Sequence, residues 1–177
     1  MLQHELGGGV RVVEEALSGR TPATDSWVLP DRNGRALLGP LLESHAPLDW
    51  VILMLGTNDV GPSYRLSAAE VAFGCATLVW TVQKSHAGPG GGAPEILLIA
   101  PPVLGEVSGL MGLFFKGGEE TSRGLAPAYQ TVADACRCRF LDAAKHVQVS
   151  QVDGVHLDPD GHRALALAVK NVVAANL

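Results

Sequence analysis

A chain of 177 residues, 47% hydrophobic and 18% charged, has the size and composition of one folded domain spanning residues 1–177 and can bury a full core. Its net charge of -5 leaves no basic footprint for nucleic acid, and no stretch reaches the ~18 consecutive apolar residues of a membrane span. Three cysteines, Cys75, Cys136 and Cys138, without a CxxC spacing, suggest neither a disulfide framework nor a zinc site. The opening MLQHELGGGV lacks the basic flank and apolar core of a secretory signal, so the expected compartment is the cytoplasm.

In chain order, residues 10–16 (VRVVEEA), 50–55 (WVILML) and 96–100 (ILLIA) are short apolar runs bounded by Gly or Pro. Runs of that length suit strands buried on both faces of a parallel sheet. Between them, residues 67–84 place Val71, Cys75, Leu78, Val79 and Val82 on one helical face, with Ser67 and Glu70 spaced as a capping box. Residues 88–92 (GPGGG) read as a surface loop. A helix is expected over 125–136, a short strand near 139–142, and a last helix over 159–175 with Asp158 as N-cap and Leu165, Val169, Val172 and Val173 facing inward. Strands alternating with helices argue for an α/β fold, in which ligands sit beyond the C-terminal ends of the strands.

Three segments at such strand ends could carry chemistry. Gly56-Thr57-Asn58-Asp59 follows the strongest predicted strand, where the Asn58 amide could donate to developing negative charge; it could equally be an Asx-turn leaving the strand. Asp153-Gly154-Val155-His156 precedes the last helix. Its carboxylate could fix the imidazole tautomer and leave Nε2 as a general base, or the segment could be a structural loop; the nearby His162 is better read as covering the helix. Ser18-Gly19-Arg20-Thr21 could bring the Gly19 N–H to an oxyanion, or be a simple turn.

In the order LSGRT, WVILMLGTND, DGVHLDPDGH, these segments resemble the SGNH/GDSL hydrolases. EEALSGRT, the LLIAPP segment and FLDA make the chain most similar to bacterial arylesterases and acyltransferases of that family. The resemblance implies a flavodoxin-like three-layer α/β/α fold with sheet order 2-1-3-4-5 and a serine-type esterase of short acyl esters, with acyl transfer as a side activity. It further implies that Gly19 and Asn58 form the oxyanion hole, that Asp153 orients His156, that neither metal nor other cofactor takes part, and that the partners are a small ester and further copies of the chain.

The family's Gly-Asp-Ser block, which carries the nucleophile on the first, central strand, is absent from the sequence. The chain is therefore expected to be N-terminally truncated relative to the family, with that strand missing or replaced. No nucleophile is identified: Ser18 is the least unsuitable serine, and the others fall in loops or helices. Residues 104–122 form a long Leu-, Met- and Phe-rich connection, expected either to wall the substrate or meet another subunit, or to pack on its own domain. Two alternatives remain from other classes: a catalytically inactive SGNH-like binding or oligomerisation domain, and a flavodoxin-like binding domain. The latter is disfavoured because no Gly-rich phosphate loop follows a strand.

Overall fold

The computed structural model describes residues 1–26 and 28–176. Three parallel strands, β1 (Trp50–Leu53), β2 (Glu95–Ala100) and β3 (Arg139–Asp142), form one sheet in the order β1-β2-β3. Six helices accompany them among the described residues: α1 (Leu2–Leu6), α2 (Gly34–His45), α3 (Ala68–Lys84), α4 (Gly109–Phe115), α5 (Glu119–Cys136) and α6 (Pro159–Val173).

The two-residue period of β2 divides the core. Ile96, Leu98 and Ala100 pack with the inner faces of α3 and α5, including Val71, Leu78, Val79, Leu125 and Tyr129. Leu97 and Ile99 face the other way and join Leu141 of β3 with Leu165, Val169 and Val173 of α6. The sheet is thus covered on both sides, the three-layer arrangement expected of βα units with right-handed crossovers. The capping box forms at the start of α3: Ser67 Oγ accepts from the Glu70 N–H, and the Glu70 carboxylate accepts from the Ser67 N–H at 2.8 Å.

Several expectations are corrected. Residues 10–16 form no strand; their backbone is held instead by the side chain of Gln3, which donates to the Val10 carbonyl (2.7 Å) and accepts from the Val12 N–H (2.7 Å). With no strand there, β1 pairs with β2 alone, and among the described residues its other edge meets no strand. Asp158 occupies the N-cap of α6 but makes no side-chain capping bond. The connection over 104–122 contains α4, whose Phe115 is buried while Leu110 and Leu113 are exposed, so it is partly core and partly surface. No helix among the described residues is long and apolar enough to cross a membrane.

Candidate active site

β1 ends in a turn that only glycine permits. Gly56 adopts φ 113°, and a Cβ there would collide with the Tyr129 hydroxyl, which donates to the Leu55 carbonyl at 2.6 Å. The sharp exit leads into a single 3-10 turn, Asn58–Val60, that lifts Asn58 onto the C-terminal rim of the sheet. There the Asn58 Nδ2 donates to the Arg20 carbonyl at 2.9 Å. A carboxamide nitrogen carries two hydrogens, so this bond fixes the group's orientation with one and leaves the other to serve a ligand.

That bond joins Asn58 to the Gly19-Arg20 turn. Gly19 has φ 78°, and a Cβ there would press on Leu29 and lie against the aliphatic stem of Arg32. The segment beyond it is pinned: the Thr21 N–H donates to the Arg32 carbonyl at 3.0 Å, and the Gly34 N–H at the start of α2 donates to the Thr21 carbonyl at 2.9 Å. Ser18, the residue before Gly19, is exposed.

Asp153 and His156 form the second pair. Asp153 Oδ2 meets His156 Nδ1 at 2.7 Å, while Oδ1 accepts from the backbone N–H groups of Val155 (2.8 Å) and His156 (3.0 Å). The bond to the His156 ring and those backbone donors hold the Asp153 carboxyl near 2, so it stays ionised wherever an imidazole titrates. An ionised carboxylate only accepts, so Nδ1 carries the proton and Nε2, on the far side of an exposed ring, is the basic nitrogen. Gly154 makes this geometry possible: it sits at φ 74°, and a Cβ would overlap the Glu106 carbonyl.

Both pairs lie on the same rim. Asn58 follows the C-terminal end of β1, and the Asp153-His156 loop joins the C-terminal end of β3 to the N-terminus of α6. Between them the segment after β2 is fastened on both sides, its Gly105 N–H to the Gly154 carbonyl (2.8 Å) and its Leu104 N–H to the buried Ser122 hydroxyl (2.9 Å). Hydrogen bonds thus join Asn58 to Arg20, the residue after Gly19, and Asp153 to His156. His162 lies exposed within α6, its N–H bonded to the Asp158 carbonyl.

A cavity of about 650 Å3 opens beside the second pair, between residues 103–106 and 144–151, and none of the four candidates lines it. The volume and the chemistry therefore do not coincide. The candidate site is set by the two pairs and not by the cavity, because fixed charges and oriented donors, not volume, are what a reacting carbonyl requires.

Sequence reasoning missed Asp59. It is 1% exposed, reaches the Thr24 side chain, and is pushed up to about 7 by burial. An aspartate after Asn58 reads as an ordinary turn residue, and nothing local in the sequence marks it as buried.

Comparison with known proteins found one family match, the GDSL-like lipase/acylhydrolase family, over residues 1–164. No curated protein matched. Among solved structures, the M. smegmatis aryl esterase is 36% identical with a TM-score of 0.94, over 99% of this chain and 83% of its own. A carbohydrate acetylesterase from Sinorhizobium meliloti is 35% identical with a TM-score of 0.95, over 99% and 83%. An acetylxylan esterase from Geobacillus stearothermophilus, 22% identical with a TM-score of 0.65 over 92% and 72%, shares the fold. With its strand-end donors, its carboxylate-bound histidine and a family match covering nearly its whole length, the chain belongs to the GDSL-like lipase/acylhydrolase family.

Proposed function

We propose that the chain acts on short-chain carboxylic esters, with Asn58 and the Gly19 N–H receiving the oxyanion and His156, steered by Asp153, serving as general base. The observation that carries this reading is the Asp153-His156 bond on the same sheet rim as the Asn58-Arg20 bond. Attack on an ester carbonyl moves charge onto its oxygen, and two oriented N–H donors stabilise that charge without reorganising. Nε2 of His156 takes the proton of the attacking hydroxyl and returns it to the leaving alcohol. When the attacking hydroxyl is that of water the acyl group leaves as the free acid, and when it is another alcohol, as a side activity, the product is a new ester.

The short acyl preference is supported by the S. meliloti relative, which is named a carbohydrate acetylesterase, and the alcohol half by the M. smegmatis relative, named an aryl esterase. The exposed side chains of Leu110, Leu113 and Val152 support an assembly of several copies. Sedimentation velocity tests this: an oligomer supports it, and a monomer at micromolar concentration rejects it.

The nucleophile is unassigned. The sequence holds no Gly-Asp-Ser, the block that carries the family's nucleophile. That observation favours a second reading, a catalytically inactive domain in which the same oxyanion-binding rim holds an acyl or carbohydrate ligand. Hydrolysis of p-nitrophenyl acetate separates the two. The esterase reading expects turnover above the buffer rate that drops at least ~100-fold in His156→Ala; wild-type turnover equal to buffer selects the inactive domain.

A further inference from the structure

Among the described residues, two buried side-chain atoms lack a hydrogen-bond partner, Nε of Arg20 and Oδ2 of Asp59. Both belong to the junction that holds Asn58. Arg20 supplies the carbonyl that receives the Asn58 amide, and Asp59 is the next residue in the same turn. Asp59 reaches back to the Thr24 side chain, four residues beyond Arg20 in the same segment. Two neighbouring side chains of one turn thus grip one segment at two points. The Thr21 hydroxyl donates to the Thr24 carbonyl and ties those points together.

The surroundings of Asp59 are built for a neutral acid. The titratable groups facing it are the Cys75 thiol of α3 and the Tyr129 hydroxyl of α5, and Thr24 faces it from its own segment. None is a cation. The hydrogens of Cys75 and Tyr129 are engaged elsewhere, with the thiol donating to the Tyr129 hydroxyl at 3.1 Å and that hydroxyl to the Leu55 carbonyl. A carboxylate has room for roughly four donors, and here the Thr24 side chain and the residue's own backbone N–H serve it while Oδ2 has none. Leaving that oxygen bare costs far less for a carboxylic acid than for a carboxylate, which would draw water into the junction.

We propose that Asp59 is a positioning residue for Asn58: as the neutral acid it clamps the Asn58 turn to the Arg20–Thr24 segment, and its ionisation loosens that clamp. The functional consequence rests on reading Asn58 as an oxyanion donor, whereas the clamp does not. Burial places the transition near neutral pH, since it pushes Asp59 up to about 7.

The test follows the Asn58 side-chain NH2 signals of 15N-labelled protein from about pH 5 to about pH 9, in wild type, Asp59→Asn and Asp59→Ala. The clamp predicts a resolved, slowly exchanging pair at low pH that broadens through a single midpoint near neutrality. Asp59→Asn, a neutral isostere, keeps the low-pH pattern throughout, whereas Asp59→Ala shows the broadened pattern at every pH. Wild-type signals that do not change with pH overturn the proposal, and so does an Asp59→Asn spectrum that titrates like wild type. The wild-type titration decides even if a variant fails to fold. In the second arm, kcat for p-nitrophenyl acetate falls roughly 10-fold per pH unit above the midpoint in wild type, and that limb flattens in Asp59→Asn with KM unmoved. Absence of turnover defeats the esterase reading and leaves the clamp to the spectra.

Discussion

Ile52 and Leu97 are register partners on neighbouring strands and point to the same face of the sheet, yet Leu97 is 0% exposed and Ile52 is 36% exposed. The more exposed strand, WVIL, is if anything the more apolar, since EILLIA begins with Glu95. The difference lies in what flanks them. β2 has a strand on each side and α6 above Leu97 and Ile99, whereas among the described residues β1 has a strand on one side, and its α6-side residues lie at the margin of that cover. Burial is therefore set by neighbours contributed from elsewhere in the chain. The same holds on the rim, where Asp59 is sealed by α3 and α5 while His156 stands exposed.

Substitution sharpens this contrast. Leu97→Ala opens a cavity in a closed core and should cost about 2–5 kcal/mol in urea unfolding. A cost under about 1 kcal/mol would mean that α6 does not stay packed on β2.

The next effect is a pH dependence. Asp59 has a folded pKa of about 7 against an ordinary value of 3.8. Its native state holds the proton more tightly, so its contribution to stability is complete below about 3.8 and is lost as pH rises through about 7. The wild type should lose about 3 kcal/mol between roughly pH 5 and pH 8 relative to Asp59→Asn. Parallel curves for the two proteins would place the carboxyl in contact with water.

Ser67→Ala removes the N-cap of α3 and should lower stability by about 1 kcal/mol, read from the midpoint at constant m-value. Smallest of all, Ile52→Ala should cost under about 1 kcal/mol, since over a third of its surface is already wet. If it matched Leu97→Ala, the open face of β1 would be covered in solution by another chain.

Where sequence pattern and local chemistry agreed, the fold was legible. The period of 67–84 and its capping box located α3, and the apolar runs at 50–55 and 96–100 located β1 and β2. Residues 10–16 carry a strand-like pattern without a strand, because a β-pattern states only that a segment could pair. Helix α2 was unread: Gly39-Pro40 punctuates it, yet Leu42 packs in the core and the Asn33 side chain caps it by accepting from the Arg35 N–H. At the site, Asp153-Gly154-Val155-His156 was legible because its bonds are local. Asp59 was not, because its environment comes from Thr24, Cys75 and Tyr129, far away in sequence.

The proposed ester-cleaving site requires the Asn58 and His156 pairs to act on one carbonyl. A double-mutant cycle on kcat/KM for p-nitrophenyl acetate tests this most directly. Asn58→Ala should lower it by roughly 100-fold or more, and its effect should be much smaller in the His156→Ala background, where the residual rate lies close to the buffer rate and little enzyme-held oxyanion remains for the amide to serve. Losses that simply multiply would show two independent sites, and a wild-type chain without hydrolysis would contradict the account outright.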